Sequence, residues 1–317
     1  MAAPEVLGLS KPFVDPADAK VDIVFVHGLN GGRESTWTHE PSHVFWPKDL
    51  LPKACPEARI LAFGYSSGWV RFFGSVGTQG ISQTTIGDHS AALLGDLAKL
   101  RDRTESNEQP LIFVAHSLGG LVVANALSSP HGDNIGAQSV VKATRGVLFF
   151  GTPFEGSNKA RWGGIVETFL KVFTETNPKN IETLKEHSDS LVAINHNFAK
   201  FLMSRAKSQK EHSVEVANFF EELSLKIGRK SVGRIVTQDS ATIVGVDPIG
   251  IEADHISMCK FEDEERRGYV RASEQLQGWI KRLPPEPKQE KRKLIAKSFR
   301  YFKGTSLTVK STTTVAL

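Results

Sequence analysis

Residues 111–120 read Leu-Ile-Phe-Val-Ala-His-Ser-Leu-Gly-Gly, an apolar run that ends in a serine followed by small residues. A stretch of apolar residues at helical spacing follows at once. The pattern predicts a buried strand, a tight turn and a helix, with Ser117 at the apex. A serine hydroxyl is a poor nucleophile in water. Held on a strained turn beside a base and facing backbone N–H donors, it attacks an acyl carbonyl. Ala115, Gly119 and Gly120 are small enough to let strand and helix approach closely around that turn. The usual form of such a turn has glycine where this chain has Ala115, the smallest residue that carries a Cβ.

A serine nucleophile needs a base, an orienting acid and donors for the oxyanion. His27-Gly28-Leu29-Asn30-Gly31-Gly32 follows the first apolar run and predicts a turn that exposes backbone N–H groups. The expected donors are the N–H of Leu29 and the N–H of Leu118. They would hold the oxygen that turns negative in a tetrahedral intermediate. A phosphate-binding loop is the rival for a Gly-rich turn, but the Lys-Ser/Thr ending it needs is missing.

The base is expected after the last strand, because this architecture orders its triad serine, acid, histidine along the chain. Of the ten histidines, His27 lies in the oxyanion turn and His116 points away from the apex. His131, His187, His196 and His212 come too early. His255, between the final strand and the final helix, is the predicted base. The acid should close the strand before the last one, Val214–Phe220, which makes Glu221 the first choice. Glu222 would point the other way if the strand continues. Asp239 is the main competitor, and Asp254 is better suited to shaping the loop of His255. No Cys/His spacing suggests zinc, and the reading calls for no metal and no cofactor.

Apolar runs with helical patterns between them must position these residues. The predicted strands are Val21–Val26, Arg59–Tyr65, Pro110–Ala115, Arg145–Phe150, Val214–Phe220 and Gly233–Thr237. Continuous rather than alternating apolar character predicts strands covered on both faces. Leu93, Leu97 and Leu100 repeat at helical spacing, as do Leu276, Trp279 and Ile280. Strands alternating with helices predict an α/β architecture with a mostly parallel sheet, and ligands in such sheets sit at the carboxyl ends of strands. His27, Ser117, Thr152, Glu221 and Asp239 all fall at that edge. Residues 156–211 form a helical insertion, with Ile165, Phe169 and Phe173 on one face and Leu184, Leu191, Ile194, Phe198 and Phe201 on another. It reads equally as a cap over the site or as packing helices.

The organisation expected is an extension over 1–20, one domain over 21–283 and a basic, flexible tail over 284–317. Of the 317 residues 40% are hydrophobic, enough for one large core. The net charge of +4 is unevenly spread. Residues 281–317 carry ten Lys and Arg against Glu286 and Glu290, or +8, which leaves −4 on residues 1–280. The basic character therefore belongs to the tail, and no nucleic-acid partner is implied. Two cysteines, Cys55 and Cys259, cannot build a disulfide framework. Met1–Lys20 has no apolar core of signal-peptide length, and no apolar run is long enough for a membrane span. A cytoplasmic protein is expected, with a mitochondrial or ER-associated one as the alternative.

Taken together these stretches resemble the lipase-like serine esterase branch of the α/β-hydrolase superfamily. That branch includes the GPI inositol-deacylase type and serine-active-site proteins of phospholipid remodelling. It also includes the N-terminal hydrolase domains of fungal NOD-like receptor, NACHT and ankyrin proteins. The matching stretches are Val21–Gly28, Trp46–Leu50, Ala58–Tyr65, Ala115–Gly120, Phe149–Pro153, Phe219–Glu222, Asp239–Ala241 and Asp254–Phe261, in that order. They span about residues 20–282. The resemblance implies the α/β-hydrolase fold, Ser117 as nucleophile, His255 as base and an acid at the Phe-Phe-Glu stretch. Family members often carry a histidine where this chain has Phe154, a position that bears on substrate contacts. Several carry large signalling domains after the hydrolase, whereas this chain stops at Leu317, as a short form or a piece of a longer protein.

The expected function is hydrolysis of carboxylic esters, lipid acyl esters in particular, through an acyl-enzyme. Gly68–Phe73 would add an apolar rim to the site. The alternative is a non-catalytic or signalling module that keeps the hydrolase fold. Transacylation is a third option and needs water excluded from the site. Ile295, Phe299 and Phe302 share a helical face beside six basic residues of the tail, so peripheral contact with an anionic membrane is a further expectation.

Overall fold

The computed structural model describes residues 6–67, 86–154, 181–207, 213–243 and 245–284, with 162, 164, 165, 167–169 and 172. For residues 181–189 only the backbone is described. The chain divides into two units, Met1–Leu283 and Pro284–Leu317, and of the second only Pro284 is among the described residues. Gly68–Phe73, Phe173, the side chain of Leu184 and the basic tail lie outside them.

In chain order the elements are β1 (Gly8–Leu9), β2 (Val21–Val26), the ribbon β3 (Thr38–His39) and β4 (Val44–Phe45), and the short helices α1 (Trp46–Asp49) and α2 (Leu51–Ala54). Then come β5 (Ala58–Gly64), α3 (Ile86–Arg103), β6 (Leu111–His116), α4 (Gly119–Ser128), α5 (Ile135–Ala143) and β7 (Thr144–Phe150). The last are α6 (Ile181–Lys207), β8 (Glu215–Glu221), β9 (Leu225–Ile227), β10 (Lys230–Gly233), β11 (Ile249–Ile251) and α7 (Arg267–Lys281). One sheet runs in the order β1-β5-β2-β6-β7-β8-β11. Only its edge strand β1 is antiparallel; the other neighbours pair in parallel.

Every residue of β2, β5 and β6 is buried, as continuous apolar runs predict. The strand period of two sorts the side chains between two cores. Val24 and Val26 join Leu93, Leu97 and Leu121 on one face. Val21, Ile23 and Phe25 join Trp37, Trp46 and Leu276 on the other. Burying one such side chain is worth roughly 1.5–3 kcal/mol. A one-residue slip of a central strand would send each side chain into the opposite core, where the neighbours are packed for a different shape.

The chain leaves β2 for β5 on one side of it and returns to β6 on the other. The carboxyl ends of β2 and β6 thus border the point where strand order reverses, the place where open parallel sheets bind ligands. The opposite ends are locked by charge. Asp22, second in β2, takes two bonds from Arg59 at 2.7 and 2.9 Å, one from Gln109 at 3.0 Å and a further ion pair from Arg101 of α3. Asp22 and Arg101 are fully buried and Arg59 nearly so. Burial pulls the Arg101 pKa down, and Asp22 opposes that shift.

Two expectations about the elements change. Residues 6–20 are more than an extension, since β1 pairs with β5, Val14 bridges to Ile60 and Ser10 donates its N–H to Ala62 at 2.8 Å. The predicted strand Gly233–Thr237 is not one. Gly233 ends β10, which pairs with β9 in a separate two-stranded ribbon, and the large sheet ends instead on Ile249–Ile251. The backbone of Ile235 and Val236 is used elsewhere, in the site described next.

The described parts of the insertion pack against the domain. α6 packs along α4, burying Leu191, Ile194 and Phe198. Trp162, Ile165 and Phe169 are buried in the same core, and the ring of Phe169 stands edge-on to that of His255 at 5.5 Å.

Candidate active site

Ser117 follows β6 directly and adopts φ +54°, a left-handed conformation that costs an L-residue about 1–2 kcal/mol. The surroundings hold it there. Its N–H donates to Phe150 at 2.8 Å, and its carbonyl accepts the hydroxyl of Thr152 and the N–H of Gly120, each at 3.0 Å. α4 then begins at Gly119, where a Cβ would run into the carbonyl of His27.

His255 sits in the loop after β11. Its Nε2 lies 3.0 Å from Ser117 Oγ, and its Nδ1 lies 3.3 Å from Glu221 Oε2. Glu221 ends β8, and its other oxygen accepts the N–H groups of Ile235 at 2.7 Å and Val236 at 2.6 Å. The apolar segment that reads as a strand is therefore spent on holding a carboxylate. With Glu221 accepting from Nδ1–H, the imidazole presents a bare Nε2 to the serine hydroxyl. All three side chains are buried, Ser117 being 2% exposed and the other two fully enclosed. The imidazole needs room on one side, and a Cβ at Gly151 would stand 2.9 Å from its Cε1.

The loop of His255 is tied down at several points. Asp254 Oδ1 accepts the N–H of Ile256 at 3.0 Å and that of Ser257 at 2.9 Å. The Trp46 indole donates to the Cys259 carbonyl at 2.9 Å. His116 Nε2–H donates to the carbonyl of His255 itself at 2.9 Å. Burial, with a smaller contribution from His255, pushes the His116 pKa down to about 3, so this ring is neutral.

The turn at Gly28 packs directly on Ser117. A Cβ at Gly28 would lie 2.6 Å from Ser117 Cβ. The turn is braced from behind by Tyr65, whose hydroxyl donates to the His27 carbonyl at 2.7 Å and whose N–H donates to His27 Nε2 at 3.2 Å. Among the described residues, no acceptor faces the N–H of Leu29 or of Leu118. Both residues are buried. Leu118 follows Ser117 directly and Leu29 follows Gly28, which packs on that serine, so these two N–H groups are candidate donors to a negatively charged oxygen. The N-terminus of α4 adds its dipole in the same sense.

The structure thus brings Ser117, His255 and Glu221 together and sets Leu29 and Leu118 beside them. It does not bring in the competitors for the acid. Asp239 and Glu222 are exposed, and Asp254 caps its own loop. His196 is exposed; His212 and the side chain of His187 lie outside the described residues. Phe154 packs on Phe149 and Phe198 rather than standing free. Among the described residues, no group of three His, Cys, Asp or Glu side chains could hold a metal ion. Sequence reasoning missed the bond from His116, although its position beside Ser117 gave a signal: a polar ring at the end of a buried strand requires a partner.

Among solved structures, the Bacillus licheniformis lipase BlEst2 in mature form matches with a TM-score of 0.50. The match covers 87% of this chain and 99% of that one at 16% identity. The chain has the α/β-hydrolase fold. Among curated sequences, the chain is 28% identical to Protein SERAC1 of Danio rerio over 273 residues, 81% of the chain and 39% of that protein. It is 26% identical to the Homo sapiens protein of the same name over 271 residues, 80% of the chain and 38% of that protein. It therefore spans about two fifths of the length of the curated relatives it matches. No family model matches the chain.

Proposed function

We propose that this α/β-hydrolase cleaves carboxylic esters, with Ser117 as nucleophile, His255 as general base and acid, and Glu221 as the orienting acid. Ser117 Oγ attacks the ester carbonyl carbon while its proton passes to His255 Nε2. The carbonyl oxygen becomes an oxyanion held by the N–H groups of Leu29 and Leu118. His255 then protonates the departing alkoxide, leaving an acyl group on Ser117. Water, deprotonated by His255, attacks that acyl carbon, and the carboxylic acid leaves as Oγ recovers its proton. Glu221 keeps the imidazole in the working tautomer and stabilises the imidazolium.

The observation that carries this reading is the 3.0 Å approach of His255 Nε2 to Ser117 Oγ, with a carboxylate on the other ring nitrogen. Lipid acyl esters are the proposed substrates, supported by the buried apolar ring of Phe169 beside the base. A second reading, a non-catalytic module that keeps the fold, is favoured by one observation: Ser117 is only 2% exposed.

A fluorophosphonate probe separates the two readings. Labelling of the wild type that disappears in Ser117→Ala supports the hydrolase, and a folded wild type that never labels supports the module. A series of p-nitrophenyl esters from acetate to palmitate then tests the lipid assignment. Rates per KM that rise with chain length support it, and a maximum at acetate counts against it.

A further inference from the structure

We propose that His116 is a positioning residue, which through its bond to the carbonyl of His255 fixes the loop that carries the imidazole. The inference rests on the ester-hydrolase reading of the site.

The nucleophile and the base come from different parts of the fold, and their separation depends on both. His116 ends β6 and pairs with Phe150 of β7, so its backbone is set by the sheet. Residues 252–258 belong to no strand or helix. The backbone bonds of that segment act on its flanks, among them Leu223 N–H to the Ala253 carbonyl at 3.1 Å, Met258 N–H to the Asp254 carbonyl at 2.9 Å and the side chain of Asp254 on the two residues after His255, while Glu221 holds the imidazole rather than the main chain of His255. The His116 bond joins the residue bearing the base to the strand bearing the serine, at 2.9 Å.

The ring has little freedom to do anything else. It is 8% exposed, its centroid is 5.1 Å from that of His255, and Trp37 stands edge-on to it at 6.4 Å. A Cβ at Gly28 would lie 3.2 Å from its Nδ1, so the oxyanion turn closes the remaining side. The neighbouring β6 residues Ile112, Phe113, Val114 and Ala115 are apolar. A residue with a purely packing role there would be apolar as well, because burying an imidazole costs desolvation.

Two amides distinguish this role from general polarity. Gln carries its terminal nitrogen three bonds from Cβ, as His carries Nε2. Asn carries its nitrogen two bonds from Cβ, as His carries Nδ1. His116→Gln should restore the donor to the His255 carbonyl and His116→Asn should not. Wild type, H116Q and H116N are compared for fluorophosphonate labelling rate, kcat and KM on a p-nitrophenyl ester, with Ser117→Ala as the blank. A loss of alignment of about an ångström costs on the order of a hundredfold in rate. H116N should therefore lose about ten- to a hundredfold in labelling rate and kcat with KM unchanged, and H116Q should stay within about threefold of wild type.

Equal losses in the two variants, or none in either, would overturn the proposal. A wild type that does not label overturns the ester-hydrolase reading and the role of His116 with it. A wild type that labels while the variants behave alike overturns only the present inference. If H116N does not fold, long-range ¹H–¹⁵N spectra of the wild type provide the test, with the His116 signals identified by their loss in H116Q. The Nε2–H tautomer is expected there, and an Nδ1–H tautomer is the overturning result.

Discussion

Glu221 accepts the backbone N–H of Val236 at 2.6 Å on the oxygen that does not face His255. With the Ile235 N–H on the same atom, one carboxylate oxygen is held by two backbone donors and Oε2 is left for the imidazole.

That division of labour predicts the behaviour of Glu221→Gln. The amide oxygen replaces Oε1 on the two N–H groups, which turns the amide NH2 toward His255 Nδ1. The ring must then put its proton on Nε2 and can no longer accept one from Ser117. A fall in kcat of about 10³- to 10⁴-fold is expected, with the fold intact, as for loss of the orienting acid in other triads. Asp239→Asn, far more exposed, should leave kcat within about twofold, since surface changes away from the site are close to neutral. Steady-state assays with circular dichroism controls check both.

Ser117 at φ +54° gives a prediction about stability. Ser117→Ala and Ser117→Gly lose the same hydroxyl and differ in the strain of the left-handed backbone. The Gly variant should be more stable than the Ala variant by about 1 kcal/mol, since only glycine adopts that conformation freely. Urea denaturation of the two inactive proteins measures the difference.

Which parts of this arrangement are legible in the sequence follows from how local each signal is. Ser117 and the Gly28 turn are readable because the apolar run, the apex residue and the small neighbours are contiguous. His255 follows from chain order. Glu221 can be ranked first but not separated from Asp239, because its decisive partners, Ile235 and Val236, lie in a segment whose apolar character imitates a strand. β11 is missed because Ile249-Gly250-Ile251 is short and interrupted by glycine. The cluster around Asp22 is invisible for another reason: its members lie up to 87 residues apart and meet only when the strands align.

His116 predicts a pH effect on stability. Its pKa is about 3 in the folded protein, against 6.5 for an ordinary histidine. The unfolded chain therefore binds a proton below pH 6.5 that the folded protein refuses. The stability this residue confers is complete above pH 6.5 and is lost as the pH falls from there through about 3. One such proton changes the folded-to-unfolded ratio up to about tenfold per pH unit. Between pH 6 and 5, roughly above the range where most carboxylates titrate, unfolding midpoints should fall more steeply for wild type than for H116Q. Equal slopes would contradict the assignment.

The thiols make a third kind of prediction. Burial pushes both Cys55 and Cys259 up to about 12. The thiolate is the reactive form, so neither should react measurably with a disulfide reagent at pH 8 in the folded protein. Both should react promptly in denaturant.

Asp22 provides the final test, because its cluster lies at the end of the sheet away from Ser117. Replacing it with alanine leaves Arg59 and Arg101 buried without their counter-ion and Gln109 without its acceptor. Removing one partner from a buried ion pair typically costs about 3–5 kcal/mol, much more than the pair itself is worth. Asp22→Ala should therefore lower stability by about that amount. Asp22→Asn keeps an acceptor for one arginine and should lose less. In both variants the fraction that remains folded should label at the wild-type rate with the phosphonate probe. The charges secure the amino ends of β2 and β5, while the hydroxyl, imidazole and amides are held at the carboxyl ends by their own bonds. A loss of labelling in step with the loss of stability would mean instead that the two ends of the sheet are mechanically coupled.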